Sequence, residues 1–135
     1  MDDCIFCKII TGQIPCHKIY EDESFIAFLD IMPVSEGHVL VATKRHFRTL
    51  LDVDTAIAGE YLKVVQKVAR KVCDALGVKD FNVVNANGRL AQQSVDHVHY
   101  HIVPRRASDG IDLWFHGRKE TTQEELAALA KKLAL

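Results

Sequence analysis

SVDHVHYHIVPR, residues 94–105, sets a histidine at every second position: His97, His99 and His101. With 7 histidines among 135 residues, this spacing should arise by accident in roughly two chains per hundred, so composition explains it poorly. Val95, Val98, Tyr100, Ile102 and Val103 make the stretch strand-like, and Pro104 with Arg105 closes it. Side chains alternate across a strand, so Val98, Tyr100 and Ile102 share one face and the three histidines share the other. The apolar face can enter a core. The histidine face must meet water, a ligand or a metal, because buried imidazoles need partners. Three readings compete: one metal ion held by all three, a catalytic row, or a structural role. Outer histidines on a flat strand lie about 13 Å apart at Cα, whereas zinc draws its nitrogens to about 2.1 Å. A single shared ion fits badly, and the catalytic row is the favoured reading.

Working outward, the row is the fifth of five strands. His17–Tyr20 and Ser24–Asp30 read as two strands joined by the polar turn EDE, His38–Thr43 as a third, and Phe81–Asn85 as a fourth. Before them a short helix ends through Lys8–Thr11 at Gly12, with Ile5, Phe6, Ile9 and Ile10 on its buried side. The longest helix runs from Asp54 to Leu76. Ile57, Tyr61, Val64, Val65, Val68, Val72 and Leu76 recur at helical spacing, Asp54 can cap the start, and Gly77 follows the end. A last helix spans about Gln123–Leu133, capped by Thr121 with Glu124 or Thr122 with Glu125. Strands in succession, one long helix and further strands predict an α+β fold with a largely antiparallel sheet.

The chain reads as one domain, residues 1–135, its tail beyond about residue 106 least defined by pattern. Hydrophobic residues at 48% and charged residues at 26% are ordinary for a globular protein. A formal net charge of −1 offers no polybasic footprint for nucleic acid or an anionic membrane. There is no apolar run of spanning length, and the start MDDCIF is unlike a signal peptide, so a cytoplasmic, reducing location is expected. There, Cys4 and Cys7 as C-x-x-C suggest metal or redox use. Cys16 and Cys73 read as small buried apolar residues; His17 and His116 suggest no role.

SVDHVHYHIVPR resembles the H-x-H-x-H signature of the histidine triad (HIT) family of nucleotide hydrolases and transferases. The resemblance also runs through CIFCKIITGQIPCHKIYED, FIAFLDIMPVSEGHVLVATKRH and FNVVNANG into QSVDHVHYH, covering at least the first 105 residues. The tail from Arg106 is more similar to microbial members than to the shorter phosphoramidase branch. The resemblance implies a HIT-like fold, a homodimer, and chemistry at the α-phosphate of a purine nucleoside phosphoramidate, a nucleotidyl conjugate or a dinucleoside polyphosphate. Position by position, it implies His99 as the nucleophile, His101 at the scissile phosphate, and His38 as a fourth histidine near the leaving-group side. Ser94 and Gln93 would contact phosphate oxygens, and Asn85 matches the nucleotide-binding asparagine after the FNVV-like strand, although the loop between Asn85 and the triad is about one residue longer here than in the phosphoramidase branch. Asp30 would hold the ribose hydroxyls, with Ile5, Phe6, Ile9, Phe28, Leu29 and Ile31 around the base. On the pattern of microbial members, Cys4, Cys7, His46 and His97 would hold a structural zinc. The row would then be divided, one end structural and its middle catalytic; no organic cofactor is expected.

The residues suit that chemistry. An imidazole with its ordinary pKa near 6.5 is mostly unprotonated at pH 7 and is a competent nucleophile. Attack by His99 would give a nucleotidyl-histidine that water then hydrolyses. Each residue also has a plainer reading: Asp30 as a turn cap, His38 as a surface residue, Ser94 as a strand-end hydrogen bonder, and Ile5, Phe6, Ile9 and Phe28 as ordinary core. Trp114 is a candidate wall for the leaving group. Other functional readings are a dinucleoside polyphosphate hydrolase, a zinc-stabilised nucleotide-binding module with little activity, and a catalytic zinc hydrolase.

Overall fold

The computed structural model describes residues 3–135. The latter part of the alternating stretch forms strand β5, His99–Arg105, one strand in from an edge of a five-stranded sheet. The other strands are β1 Lys18–Glu21, β2 Phe25–Leu29, β3 Val39–Thr43 and β4 Asp80–Asn85. Their order is β1-β2-β3-β5-β4, and every pairing is antiparallel. His97 lies just before β5 rather than within it. Its N–H bonds to the Val95 carbonyl two residues back, and the Val98 N–H reaches across to Phe47.

Helices cover both faces of the sheet, which explains why β2 (FIAFL) and β3 (VLVAT) read as nearly continuous apolar runs rather than alternating ones. Phe25, Ala27, Val39, Val41, Val98 and Ile102 face the long helix α2, Thr55–Leu76, and meet its Tyr61, Val64, Val65 and Val68. Ile26, Phe28, Leu40 and Ala42 face the other way, toward Phe6 of α1, Ile5–Ile10. The register of β3 on β5 sets Leu40 opposite His101 and Ala42 opposite His99. The histidine face is therefore the α1 face.

Several local expectations shift. Asp54 occupies the N-cap of α2, but its carboxylate makes no capping bond and pairs with Arg45. Ile5 was expected on the buried side of α1 and is 44% exposed. Gly37, at φ +85°, turns the chain into β3; a Cβ there would meet Leu76 Cδ1 at 2.4 Å and Pro104 Cγ at 3.2 Å. The last helix, α3, spans Gln123–Leu133 with Thr122 accepting from the Glu125 N–H, and all of its residues are exposed. No helix of the described residues is long and apolar enough to cross a membrane.

Tyr61 ties α2 to the sheet. Its ring packs on Phe25 and Tyr100 at centroid distances of 4.9 and 4.8 Å, and its buried hydroxyl donates to the Val41 carbonyl at 2.6 Å. Burial holds that hydroxyl's pKa above its ordinary value. Tyr61→Phe keeps the packing and deletes the hydrogen bond, so denaturant unfolding should show a loss of about 1 kcal/mol, and Tyr61→Ala a loss of about 3–5 kcal/mol.

Candidate active site

The histidine row is divided by what each backbone neighbour can do. A carbonyl only accepts, so a ring nitrogen bonded to one must carry the proton. His97 sends Nε2 to the Thr43 carbonyl at 2.6 Å, leaving a lone pair on Nδ1. His99 sends Nδ1 to the His97 carbonyl at 2.7 Å, leaving a lone pair on Nε2. The two neighbouring rings thus present opposite nitrogens to different surroundings.

Around His97 Nδ1 gather Cys4 Sγ at 3.4 Å and Cys7 Sγ at 3.6 Å, and His46 Nδ1 lies 3.3 Å from Cys7 Sγ. Tetrahedral zinc with bonds of about 2.3 Å to sulfur and about 2.1 Å to nitrogen would set neighbouring ligand atoms about 3.6 Å apart, so these spacings fit an ion of that size. The group could hold a metal, and the Thr43 carbonyl supplies the outer contact that orients a ligating imidazole. Burial and the adjacent Cys4 push the Cys7 thiol up to about 11, and burial pulls His97 down to about 4. Cys4 caps α1, with its sulfur accepting from the Cys7 N–H. The cluster therefore pins this six-residue helix to the chain just after β3 and the chain just before β5.

A second group, Asp30, His38 and His101, also brings its donor atoms within 4.8 Å of one another. It does not suit a metal. The Val34 N–H donates to His38 Nδ1 at 3.2 Å, so the proton of His38 must sit on Nε2, which lies 2.9 Å from His101 Nδ1. His38 Nε2–H donates to His101, and His101 in turn carries its proton on Nε2. Orientation passes from a backbone amide through two rings. Asp30 Oδ2 stands 3.6 Å from His38 Nε2, while its other oxygen accepts from the Met32 N–H. Burial lowers the pKa of His38 and His99, and burial with the neighbouring His99 and His38 takes His101 down to about 4. At neutral pH His99 and His101 are uncharged.

His99 and His101 form the floor of a cavity of about 210 Å³ whose walls include Ile5, Phe6, Ile9, Phe28, Leu29 and Ile31, with Asp30 and Ser94 at its polar side. The Phe6 ring stands edge-on to His99 at 4.9 Å and to Phe28 at 5.4 Å. Ile31 is 82% exposed and forms a rim rather than a wall. Ile14, Pro15, Cys16, Leu40 and Val95 also line the cavity and were not anticipated. Cys16 was read as buried core; it is a part-exposed thiol because the segment between α1 and β1 folds over the cavity mouth. His38 was open to a surface reading and is buried beneath His101.

Gln93 and Asn85 do not line this cavity. Gln93 is buried and its amide is taken up by the backbone: Oε1 accepts from Gly88, and Nε2 donates to the Arg48 and Val95 carbonyls. Asn85 donates Nδ2 to the His99 carbonyl at 2.9 Å. Asn85 thereby holds β5, and Gln93 holds the chain that leads into it. Trp114 lines a separate cavity with Asn82–Ala86 beside β4, away from the row of its own chain.

Comparison with known proteins agrees with this geometry. An uncharacterised HIT-like protein of Methanocaldococcus jannaschii is 43% identical over 123 residues, covering 91% of this chain and 95% of its own. The adenosine 5'-monophosphoramidase of Schizosaccharomyces pombe is 45% identical over 102 residues, covering 76% of this chain and 74% of its own. The crystal structure of a HIT family member from Bacillus subtilis superposes with a TM-score of 0.89 at 39% identity, covering 98% of this chain and 95% of that one. Residues 11–108 match the HIT domain, and the chain belongs to the HIT family.

Proposed function

We propose that the protein hydrolyses purine nucleoside phosphoramidates or related nucleotidyl conjugates at the α-phosphate, through a covalent nucleotide on His99. The observation that carries this reading is the His99 ring: 4% exposed, its Nδ1–H fixed on a backbone carbonyl, its Nε2 lone pair turned to an apolar cavity with Asp30 at one side. Kinship with proteins named adenosine 5'-monophosphoramidase supports the substrate class.

The base would lie among Phe6, Ile9, Phe28 and Leu29, and the ribose hydroxyls would donate to Asp30. His99 Nε2 attacks phosphorus; the P–N bond to the leaving amine breaks as the new bond to Nε2 forms. The imidazole becomes cationic, and the His97 carbonyl dipole at Nδ1–H stabilises that charge. His101 Nε2–H, held in place through His38, donates to a non-bridging phosphate oxygen. The Ser94 hydroxyl, exposed at the lip, relays a proton from solvent to the departing nitrogen, taking up one proton as it gives one. Water then attacks phosphorus, the phosphorus–Nε2 bond breaks, the nucleotide leaves with the new oxygen, the imidazole returns neutral with its proton on Nδ1, and the water's surplus proton goes back to solvent.

Cys4, Cys7, His46 and His97 would hold zinc in a structural role, since four protein ligands leave no open position for water. Its contribution is to fasten α1, whose Phe6 and Ile9 wall the base site; six residues are too few for a helix to stand alone. The same reading takes the protein as a cytoplasmic homodimer that engages neither nucleic acid nor membrane. Support for self-association comes from β4, a sheet edge with Phe81, Val83 and Val84 exposed, next to exposed Leu62 of α2.

His99→Ala should lower kcat for adenosine phosphoramidate by at least about 10³-fold while AMP binding by calorimetry stays within a few-fold. Rapid-quench mass spectrometry should trap one AMP on the wild-type chain at His99; steady turnover with no adduct would refute the covalent route.

The neutral form of His101 is present above its depressed folded-state pKa of about 4. Activity should therefore persist below pH 6.5 and decline only as pH approaches that value. In the same window an unfolded chain binds protons that the folded chain does not, so stability also falls with pH. Circular dichroism must accompany the rate profile, and a midpoint at or above 6.5 with the fold intact would contradict the assignment.

Metal analysis of the purified protein should find about one zinc per chain. Cys7→Ser should abolish it, lower the melting temperature, and weaken AMP binding more than it changes turnover at saturating substrate. Full loss of turnover by a chelator with AMP binding intact would instead indicate catalytic zinc.

A further inference from the structure

A cleft of about 540 Å³ opens onto the Cys4 and His46 side of the four-ligand group, and neither the reaction above nor the structural role of the metal uses it. We propose that Cys4 and Cys7 are a site of reversible oxidation by a low-molecular-weight disulfide that enters this cleft. The two thiolates close on each other, the metal leaves, and the nucleotide cavity loses the wall that α1 provides. The inference rests on the structural-metal reading and adds a covalent reaction of the ligands themselves.

The group is sealed on one side only. His97 is fully buried against the sheet, whereas Cys4, Cys7 and His46 are each part-exposed. Cys4 and His46 line the cleft, whose other walls include exposed Asp3, Arg48 and Asp96. Four protein ligands fill the coordination of a zinc ion, yet a sulfur bound to it keeps thiolate character and stays a nucleophile. The Cys7 N–H donates to Cys4 Sγ at 3.3 Å, a bond that favours the thiolate there. The resolving sulfur is at hand, because the ligand atoms of the group all lie within 4.8 Å of one another. Cys16 and Cys73 belong to neither donor cluster, and Cys73 is buried.

The electrons balance between the cysteine pair and the oxidant. The Cys4 thiolate attacks one sulfur of the small disulfide, its S–S bond breaks, and one small thiolate leaves. The Cys7 thiolate then attacks Cys4 Sγ, the mixed disulfide breaks, and a second small thiolate leaves. Two cysteine thiolates are oxidised, one disulfide is reduced to two thiolates, and the divalent ion departs because two imidazoles are half of the ligands it needs. The mechanical consequence follows from where the new bond lies. Cys4 and Cys7 belong to one turn, so their disulfide ties α1 to nothing else, whereas the metal ties it to His46 after β3 and His97 before β5. Without that tie a six-residue helix keeps only side-chain packing to hold Phe6 and Ile9 at the cavity, and the wall loosens.

The test treats the zinc-loaded protein, wild type and Cys16→Ser, with bis(2-hydroxyethyl) disulfide. The variant removes the thiol on the cavity wall, whose adduct would obstruct AMP by itself. About one zinc should pass to a chromogenic chelator for each Cys4–Cys7 bond mapped by mass spectrometry, and the Kd for AMP by calorimetry should rise at least about tenfold in both proteins. A thiol reductant with added zinc should restore both values. In Cys7→Ser, which lacks the resolving sulfur, the small thiol should stay on Cys4 as a trapped mixed disulfide. Zinc retained while the reagent modifies only Cys16 or Cys73 overturns the site. Zinc released with AMP affinity unchanged within about twofold overturns the link to the cavity. Failure of the metal reading looks different: the purified protein then holds no zinc to release, and this inference falls with it.

Discussion

Two backbone carbonyls, those of Thr43 and His97, determine what three closely spaced imidazoles can do. Neither oxygen can donate, so each forces the proton onto the nitrogen that faces it and frees the other. The ring at His97 is left with a lone pair toward two sulfurs, and the ring at His99 with one toward a cavity. At His101 the same logic runs through a side chain: the Val34 amide fixes His38, and His38 fixes His101. Desolvation keeps these rings neutral, which makes the tautomer the variable that matters. Chemically identical side chains are thus set apart by their acceptors, one presenting a lone pair to the cysteines and the next presenting one to the cavity.

The alternation of residues 94–105 was enough to predict one apolar and one imidazole face, and the structure has Val98, Tyr100 and Ile102 against α2 with the histidines opposite. The long helix was legible for the same reason: a 3.6-residue period needs no tertiary information. What could not be read was where a polar side chain finds its partner. Gln93 and Asn85 stand close in sequence to the row, but backbone groups of Gly88, Arg48, Val95 and His99 claim their amides, and those groups converge only after folding. Cys16 reads as buried core in the sequence, and its place on the cavity wall comes from the connecting segment between α1 and β1, which no periodicity records. Position 97 reads as strand by pattern, yet the ladder begins at His99. The departure lets the His97 carbonyl turn to its neighbour's ring while its own ring turns to the cysteines.

The metal cluster and the nucleotide cavity are separate in chemistry and joined in mechanics. α1 and its N-cap bring Cys7 and Cys4 to the group that could hold a metal, and the same turns contribute Ile5, Phe6 and Ile9 to the cavity. Phe6 touches both halves, its ring centroid 5.8 Å from His97 and 4.9 Å from His99. The spacing C-x-x-C thus places two sulfurs on one side of the first turn and aromatic bulk on the other. A member of the family without these cysteines would have to hold the same wall by packing alone.

Burial of the imidazoles also constrains how charge can move during the reaction. A ring that stays neutral near pH 4–7 cannot serve as a standing acid, so the proton needed by a departing amine has to come from elsewhere. The exposed Ser94 hydroxyl meets that requirement because it touches solvent on one side and the cavity on the other. Under the proposed reaction, a positive charge on His99 would meet the field of the Asp30 carboxylate and the His97 carbonyl, both fixed before substrate arrives. The site would then favour the charged intermediate over the free enzyme, the condition that separates catalysis from nucleotide binding.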